Sequence, residues 1–420
     1  MVDQTSIPPG PAPAGFRNTQ ARFGRVTKTF HWLVALLIFS MVVLGLAAQY
    51  WPYDTANQLA VKATLFSTHK TLGLFTFAVA LARIGWAITQ PRPVLLTADD
   101  RLQTFAAETV HYALYGALVL VPLTGWIHHA ATTGFAPIWW PFGQSLFFVP
   151  QTPDVAHTFG ILHFVSNILL VTALGLHIGG ALKHHLIDHD ATLKRMLPGT
   201  CALPANLSNP SFHRTPIMTA AFLWCVALGI GVGIGAADQL DQHASTPTTT
   251  LAAASSEWAV QSGDLSITVA QFGQPVTGAF SDWTAAINFS EVAVDGRHGY
   301  VVVTVAIPSL TLGGVTDQAL GGDFLNADGF AIATFTGQIL PADAGYIVDG
   351  MLDLVGQSVP VQLPFALTLG GDMATASGAM RIDRRDFGIG TNYDDEGTVG
   401  FSVDIMFDLV ATRGSALETE

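Results

Sequence analysis

The chain has 420 residues, enough for two or three domains, and charged residues make up 12% of it against the roughly 25% usual in soluble proteins. Half of its residues are hydrophobic and its mean hydropathy is +0.42, which points to a membrane protein. The net charge of −13 hides a division: Met1–Pro216 holds 13 Lys and Arg against 8 Asp and Glu, and the remainder holds 5 against 23. A basic anchored half and an acidic free half are the natural reading, and the absence of a basic free domain argues against nucleic acid as a partner. Two cysteines, Cys201 and Cys225, provide neither a disulfide framework nor a Cys-x-x-Cys-His attachment run.

Residues 1–20 are rich in Pro, Ala and Gly and are expected to form a disordered leader. Their charges are too sparse, and the first apolar run too late, for a signal peptide. Five apolar runs follow: Phe30–Ala48, Thr68–Ile88, Val110–Ile127, His157–Leu182 and Ile217–Ala237. Each is close to the roughly 20 residues that carry a helix across the hydrocarbon core. Arg17, Arg22, Arg25 and Lys28 precede the first run, Arg83, Arg92 and Arg101 lie at or beyond the end of the second, and Lys183, Lys194, Arg195 and Arg214 lie between the fourth and fifth. The alternate loops hold Lys62 and Lys70, or no cation at all. The positive-inside rule then places the N-terminus in the cytoplasm and, after five spans, the C-terminal half on the outer side of the membrane. Trp51, Trp126, Trp139 and Trp140 are assigned to the outer aromatic belt. Gly229, Gly231, Gly233 and Gly235 in the fifth span suit a plain anchor or a close helix contact, since small residues let helices approach.

Asp238–Ser256 is rich in Ser, Thr and Ala and reads as a linker. Beyond it the hydrophobic period becomes two. Leu265–Val269, Val276–Phe289, Tyr300–Ile307, Ala331–Leu340, Tyr346–Leu354, Val361–Leu369, Gly378–Ile382 and Val399–Val410 give about eight strands between turn residues, the pattern of an all-β sandwich or barrel. Eight antiparallel strands can close round an interior that takes one small ligand. Phe280, Trp283, Phe289, Phe324, Phe330, Phe335 and Phe387 offer apolar walls for it, or plain core packing. The expected organisation is a leader (1–20), a helical membrane domain (21–199), a loop and fifth transmembrane helix (200–237), a linker (238–256), an all-β domain (257–413) and a tail (414–420).

Fourteen histidines are present, and eleven lie between His31 and His189. Ionisable side chains within a span are costly and usually face the bundle interior. His31 opens the first run, His69 the second, and His163 and His177 share the fourth. At about 1.5 Å and 100° per residue, the last two lie roughly 21 Å apart on nearly the same face, so one helix presents an imidazole toward each side of the membrane. The alternating direction of the spans pairs His31 with His177 on the inner side and His69 with His163 on the outer. Any one of them alone is as well read as a helix–helix hydrogen bond. Four at matched depths point to two b-type haems, each iron held by two axial imidazoles, a ligation that favours electron transfer. His111, His128, His129, His157, His184, His185 and His189 lie near the interfaces, where solvation or contact with quinone, proton or propionate is open. Lys70 and Arg83 are candidates to neutralise propionates.

The first half resembles the bacterial cytochrome b561 family. Thr29-Phe-His-Trp-Leu, His69-Lys-Thr-Leu-Gly, Val121-Pro-Leu-Thr-Gly-Trp, Gly175-Leu-His-Ile-Gly-Gly-Ala-Leu-Lys-His-His and Thr192-Leu-Lys-Arg-Met-Leu-Pro carry the likeness over about Ala21–Gly199. It implies a four-helix bundle with two haem b groups at His31, His69, His163 and His177, exchanging electrons with quinone in the inner membrane, with superoxide among the donors proposed. The second half resembles the YceI-like family, a lipocalin-like barrel for polyisoprenoid lipids, through Val276-Thr-Gly-Ala-Phe-Ser-Asp-Trp, Gly322-Asp-Phe-Leu-Asn-Ala, Phe330-Ala-Ile-Ala-Thr-Phe and Ile382-Asp-Arg-Arg-Asp-Phe-Gly-Ile-Gly. A basic, His-containing stretch that many members carry reads Thr316-Asp-Gln-Ala-Leu here, which favours a neutral head such as a quinone. The leading expectation is a di-haem electron carrier with a quinone- or lipid-binding barrel. The competitors are a membrane-tethered lipid-binding protein with a redox-sensing anchor, and a haem b anchor subunit for a separate dehydrogenase.

Overall fold

A computed structural model describes residues 15–94, 96, 100–132, 136–199, 214–245, 251, 256–343 and 345–413. The first fourteen leader residues, the tail, residues 200–213 of the expected loop and nine of the nineteen residues of the expected linker lie outside the described residues. Among the described residues, five helices are long and apolar enough to cross a membrane: α1 (Arg25–Tyr50), α2 (Ala56–Ile88), α3 (Arg101–Ala131), α4 (Pro153–Leu186) and, after the short α5 (Thr192–Met196), α6 (Thr215–Ser245). All five outrun their apolar runs, because local caps rather than hydropathy set several of their ends. Thr55 caps α2 by accepting from the Gln58 N–H, Asp100 caps α3 by accepting from Leu102 and Gln103, and Pro153 occupies the first turn of α4. Hence His69, expected to open a span, lies well inside α2. Helix α6 likewise continues through Asp238–Ser245, the first part of the expected linker, where no Gly or Pro interrupts it.

Helices α1 to α4 form a bundle, and α6 packs against α3 and α4. The fit is specific. Trp224 is buried, its Nε1 donates to the Ala113 carbonyl at 3.1 Å, and its indole lies where a side chain at Gly116 would be, with a Cβ there falling 2.3 Å from the ring nitrogen. Gly231 meets Leu162 in the same way, whereas Gly229 and Gly233 face open space. Of the two readings of the glycine run, the structure realises the close contact, at Gly231 and Gly235. At the Arg- and Lys-rich end of the bundle, Lys28 donates to the Leu197 carbonyl at 2.7 Å, and buried Arg195 donates to Val94 and Ala21 carbonyls, each at 2.8 Å.

The acidic half forms ten strands: β1 (Trp258–Gln271), β2 (Gln274–Phe280), β3 (Trp283–Val294), β4 (Arg297–Ala306), β5 (Leu310–Thr311), β6 (Ile332–Pro341), β7 (Tyr346–Leu354), β8 (Gln357–Gly370), β9 (Met373–Asp383) and β10 (Val399–Arg413). Eight of them, β1, β3, β4, β6, β7, β8, β9 and β10, close into an antiparallel barrel, and β2 and β5 extend from the far half of β1. The expected strand Val276–Phe289 is thus two. Strand β1 is long enough to pair with β3 near Trp258 and with β2 from Leu265 to Gln271, so the chain turns at Ser281–Asp282 to pass from one partner position to the other. A short helix, α7 (Thr316–Leu320), lies between β5 and β6.

The barrel abuts the helical half at the α1–α2 connection. Leu59 of α2 is 2% exposed and packs with Tyr393 and Val399, flanked by Val269, Phe272 and Phe324. The Ala56 N–H donates to the Asn392 carbonyl at 3.2 Å, and the Tyr393 hydroxyl donates to the Tyr53 carbonyl. Burial pushes the Tyr393 phenol pKa up, which keeps this donor protonated. Lys62 holds the connection in place by donating to the Gln49 and Trp51 carbonyls at 3.2 and 2.8 Å, with its ammonium 4.7 Å from the Tyr53 ring centre.

Candidate functional site

The four span histidines meet in the two expected pairs. The His31 and His177 ring centres are 6.0 Å apart, and those of His69 and His163 are 6.4 Å apart. A metal bonded at about 2 Å to one nitrogen of each ring would set two imidazole centres about 6 Å apart, so both pairs fit an iron between them. Helix α4 serves both pairs, α1 completes one and α2 the other. The motif around Val121 explains how His163 is aimed. Pro122 removes a backbone donor from α3 and loosens the ladder there. His163 Nδ1 donates to the Val121 carbonyl at 2.9 Å, which leaves Nε2 free to bind a metal. Gly125 makes the approach possible, since a Cβ there would lie 2.9 Å from the His163 ring, and Gly45 of α1 does the same for His69 at 3.1 Å.

Five of the interfacial histidines have partners. His111 touches His177, with ring centres 5.0 Å apart, and bonds the Ala107 carbonyl at 2.7 Å. His128 bonds the Ala156 carbonyl at 2.7 Å, and His129 pairs with Gln144 at 3.0 Å. His157 lies 3.6 Å from Asp238, and His184 lies 2.7 Å from Asp190. Lys70 donates to the Ala136 carbonyl at 3.0 Å, and the Arg83 guanidinium lies 5.6 Å from the Tyr115 ring centre.

The barrel encloses a cavity of about 290 Å³ with an almost wholly apolar wall. Phe280, Trp283, Phe289, Phe324 and Phe335 line it. Phe330 and Phe387 do not, which corrects the expectation for both. Phe330 precedes β6, is 37% exposed and lies against Gly356. Phe387 is buried in the single turn after β9, packed in the core behind the wall. Three polar residues join the lining: Gln271, Gln318 and Arg384. Sequence reasoning passed over Gln271, although the signal is there: Leu265, Ile267 and Val269 alternate inward along β1, and Gln271 is next in that register. Arg384 donates to the carbonyls of Gly400 at 3.0 Å, Ile389 at 2.7 Å, Gly390 at 2.9 Å and Val399 at 3.2 Å, and to that of Tyr393.

A helical bundle with a histidine pair at each of two depths, joined to a barrel round an apolar cavity, is the architecture of a membrane-embedded b-type cytochrome with an added β-barrel domain. Residues 22–199 match the prokaryotic cytochrome b561 family and residues 242–411 match the YceI-like domain. Cytochrome b561 homolog 2 of Escherichia coli K12 is 32% identical over 191 residues, which span 43% of this chain and 94% of that protein. The probable superoxide oxidase CybB of Yersinia pestis is 26% identical over 40% of this chain and 91% of its own length. Among solved structures, Burkholderia cenocepacia BcnA is 31% identical over 36% of this chain and 96% of its own, with a TM-score of 0.34. The chain belongs to the cytochrome b561 family through its N-terminal half and carries a YceI-like domain in its C-terminal half. Haem b is the cofactor of that family, and the spacing of both histidine pairs suits it.

Phe335→Asp places a carboxylate on the cavity wall, where burying an unpaired charge is costly. Uptake of an apolar fluorescent probe by the protein should fall at least about tenfold. Phe330→Asp should leave uptake close to that of the wild type.

Proposed function

We propose that this protein is a bacterial inner-membrane electron carrier with two haem b groups, which exchanges electrons with a quinone and keeps an isoprenoid quinone or related neutral lipid in its barrel. The observation that carries this reading is that α4 serves both histidine pairs while the barrel packs on α2, the helix that bears His69. His31 with His177, and His69 with His163, would hold the two irons. Bound haem supplies one-electron transfer. The chain itself fixes the ligands: the Val121 carbonyl sets the His163 tautomer, Gly45 and Gly125 admit the rings, and Lys70 and Arg83 offer positive charge for propionates. Leu59 precedes His69 by ten residues, about 15 Å of helix, so cargo held in the barrel stays near the outer pair. The name of the Yersinia pestis relative adds superoxide to the candidate donors.

The periplasm is the proposed location of the barrel. The barrel abuts the α1–α2 connection, and the end of α6 meets the start of α4 through Asp238 and His157. These segments carry few Lys and Arg, while the opposite end of the bundle carries most of them.

Purified wild-type protein should contain two haems per chain with low-spin, bis-imidazole spectra. His163→Ala and His177→Ala should each lose one haem and keep the other. Gly125→Val should mimic His163→Ala, and Gly175→Val, which faces open space, should not. One haem per chain in the wild type would refute the pairing. A reporter active solely in the periplasm should work when fused after Arg413, and activity of a cytoplasm-specific reporter at that site would reverse the topology. Mass spectrometry of lipid extracted from the full chain should find an isoprenoid at close to one per barrel, lost in Phe335→Asp.

A further inference from the structure

Gln271 is where the apolar wall of the cavity breaks. It is 5% exposed, it lines the cavity in the inward register of β1, and its Oε1 is buried without a hydrogen-bond partner among the described residues. A buried acceptor left without a donor is costly, and folded proteins keep few of them. The other two polar side chains on the wall are engaged. Arg384 directs all five guanidinium N–H groups to backbone carbonyls, which leaves none for a phosphate. Gln318 gives its Nε2 to the Tyr393 hydroxyl at 3.3 Å. Among the described residues, a ligand entering this cavity therefore meets one fully buried acceptor without a donor and no uncommitted cation.

The position of Gln271 sets the direction of the ligand. Gln271 pairs with Val399 in the β1–β10 register, and Val399 packs with Tyr393 and with Leu59 of α2. Trp258, 2% exposed, stands thirteen residues back along β1, roughly 40 Å of strand, near the other end of the barrel.

We propose that the barrel selects a neutral isoprenoid whose head donates a hydroxyl hydrogen bond — a hydroquinone or a prenol, rather than a polyprenyl phosphate — and that Gln271 accepts that bond. The head then lies at the end of the cavity held against α2, and the tail extends toward Trp258. This rests on the cargo reading given under Proposed function and adds to it the chemistry and orientation of the head.

The test uses the full-length protein in detergent, with binding followed by tryptophan fluorescence. The probes share one prenyl tail: a prenylated monophenol, its O-methyl ether, the prenyl alcohol and the prenyl phosphate. The phenol should bind about tenfold more tightly than its ether, the worth of one recovered hydrogen bond. In Gln271→Leu that ratio should fall to about one with the affinity for the ether retained, and Gln271→Met, closer in shape, should behave alike. Either hydroxyl probe outranking the ether supports the proposal, and the stronger of the two identifies a hydroquinone-like or a prenol-like cargo. Equal affinity for phenol and ether in the wild type, preference for the phosphate, or an equal loss of both ligands in both variants would overturn the headgroup assignment and leave the cargo reading standing. Failure of all four probes to bind would overturn the cargo reading, and the headgroup assignment with it.

Discussion

Fourteen residues of continuous helix separate His163 from His177, and that spacing governs the membrane half of the molecule. An imidazole in hydrocarbon needs a partner, and two of them about 21 Å apart on one helix need partners at two depths. Helix α1 meets the lower requirement with His31 and α2 meets the upper with His69. Helix α3 carries neither member of a pair. It supplies the Val121 carbonyl, the break at Pro122 and the bare backbone at Gly125 that together set one imidazole in place. The small residues of the bundle are therefore as much a part of the site as the histidines, since a side chain at Gly125 or Gly45 would occupy the space of the ring.

The parts legible in the sequence were those that depend on local pattern. Span number, the pairing of histidines by depth and the period-two strands all follow from chain geometry with little tertiary input. The ends of the helices did not, because the residues between Ala56 and Thr68 are too mixed in polarity to register as an apolar run, yet Thr55 caps them into α2. The break at Ser281–Asp282 was hidden because residues on both sides of it have strand character; which neighbour of β1 each piece joins is decided by closure of the barrel. Phe330 and Phe387 show the same limit. Aromatic character predicts burial or contact, but the wall of a barrel is chosen by register, and neither residue lies in an inward-facing strand position. Gln271 does, and its polarity hid it from a search for apolar walls. The contact of Tyr393 with Tyr53 joins residues 340 positions apart, and nothing local announces it.

Helix α6 does more than lead the chain from one half to the other. Its Trp224 seats against Gly116 and Ala113 of α3, and its Gly231 lies on Leu162, the neighbour of His163 in α4. A plain anchor would need neither contact. The fifth helix thus braces the helix on which both histidine pairs depend, and it continues beyond its apolar run to Ser245 before the chain leaves for the barrel.

The barrel is joined to the membrane half twice, by the covalent chain and by the small contact at Leu59, Asn392 and Tyr393. The ten residues 246–255 span at most about 35 Å, so the barrel never strays far from its seat. Short linkers give effective concentrations on the order of millimolar, and association becomes an intramolecular equilibrium. The seat need not be optimised for affinity. A change at Leu59 or Tyr393 alters the seat itself, while the covalent chain still keeps the barrel beside the bundle.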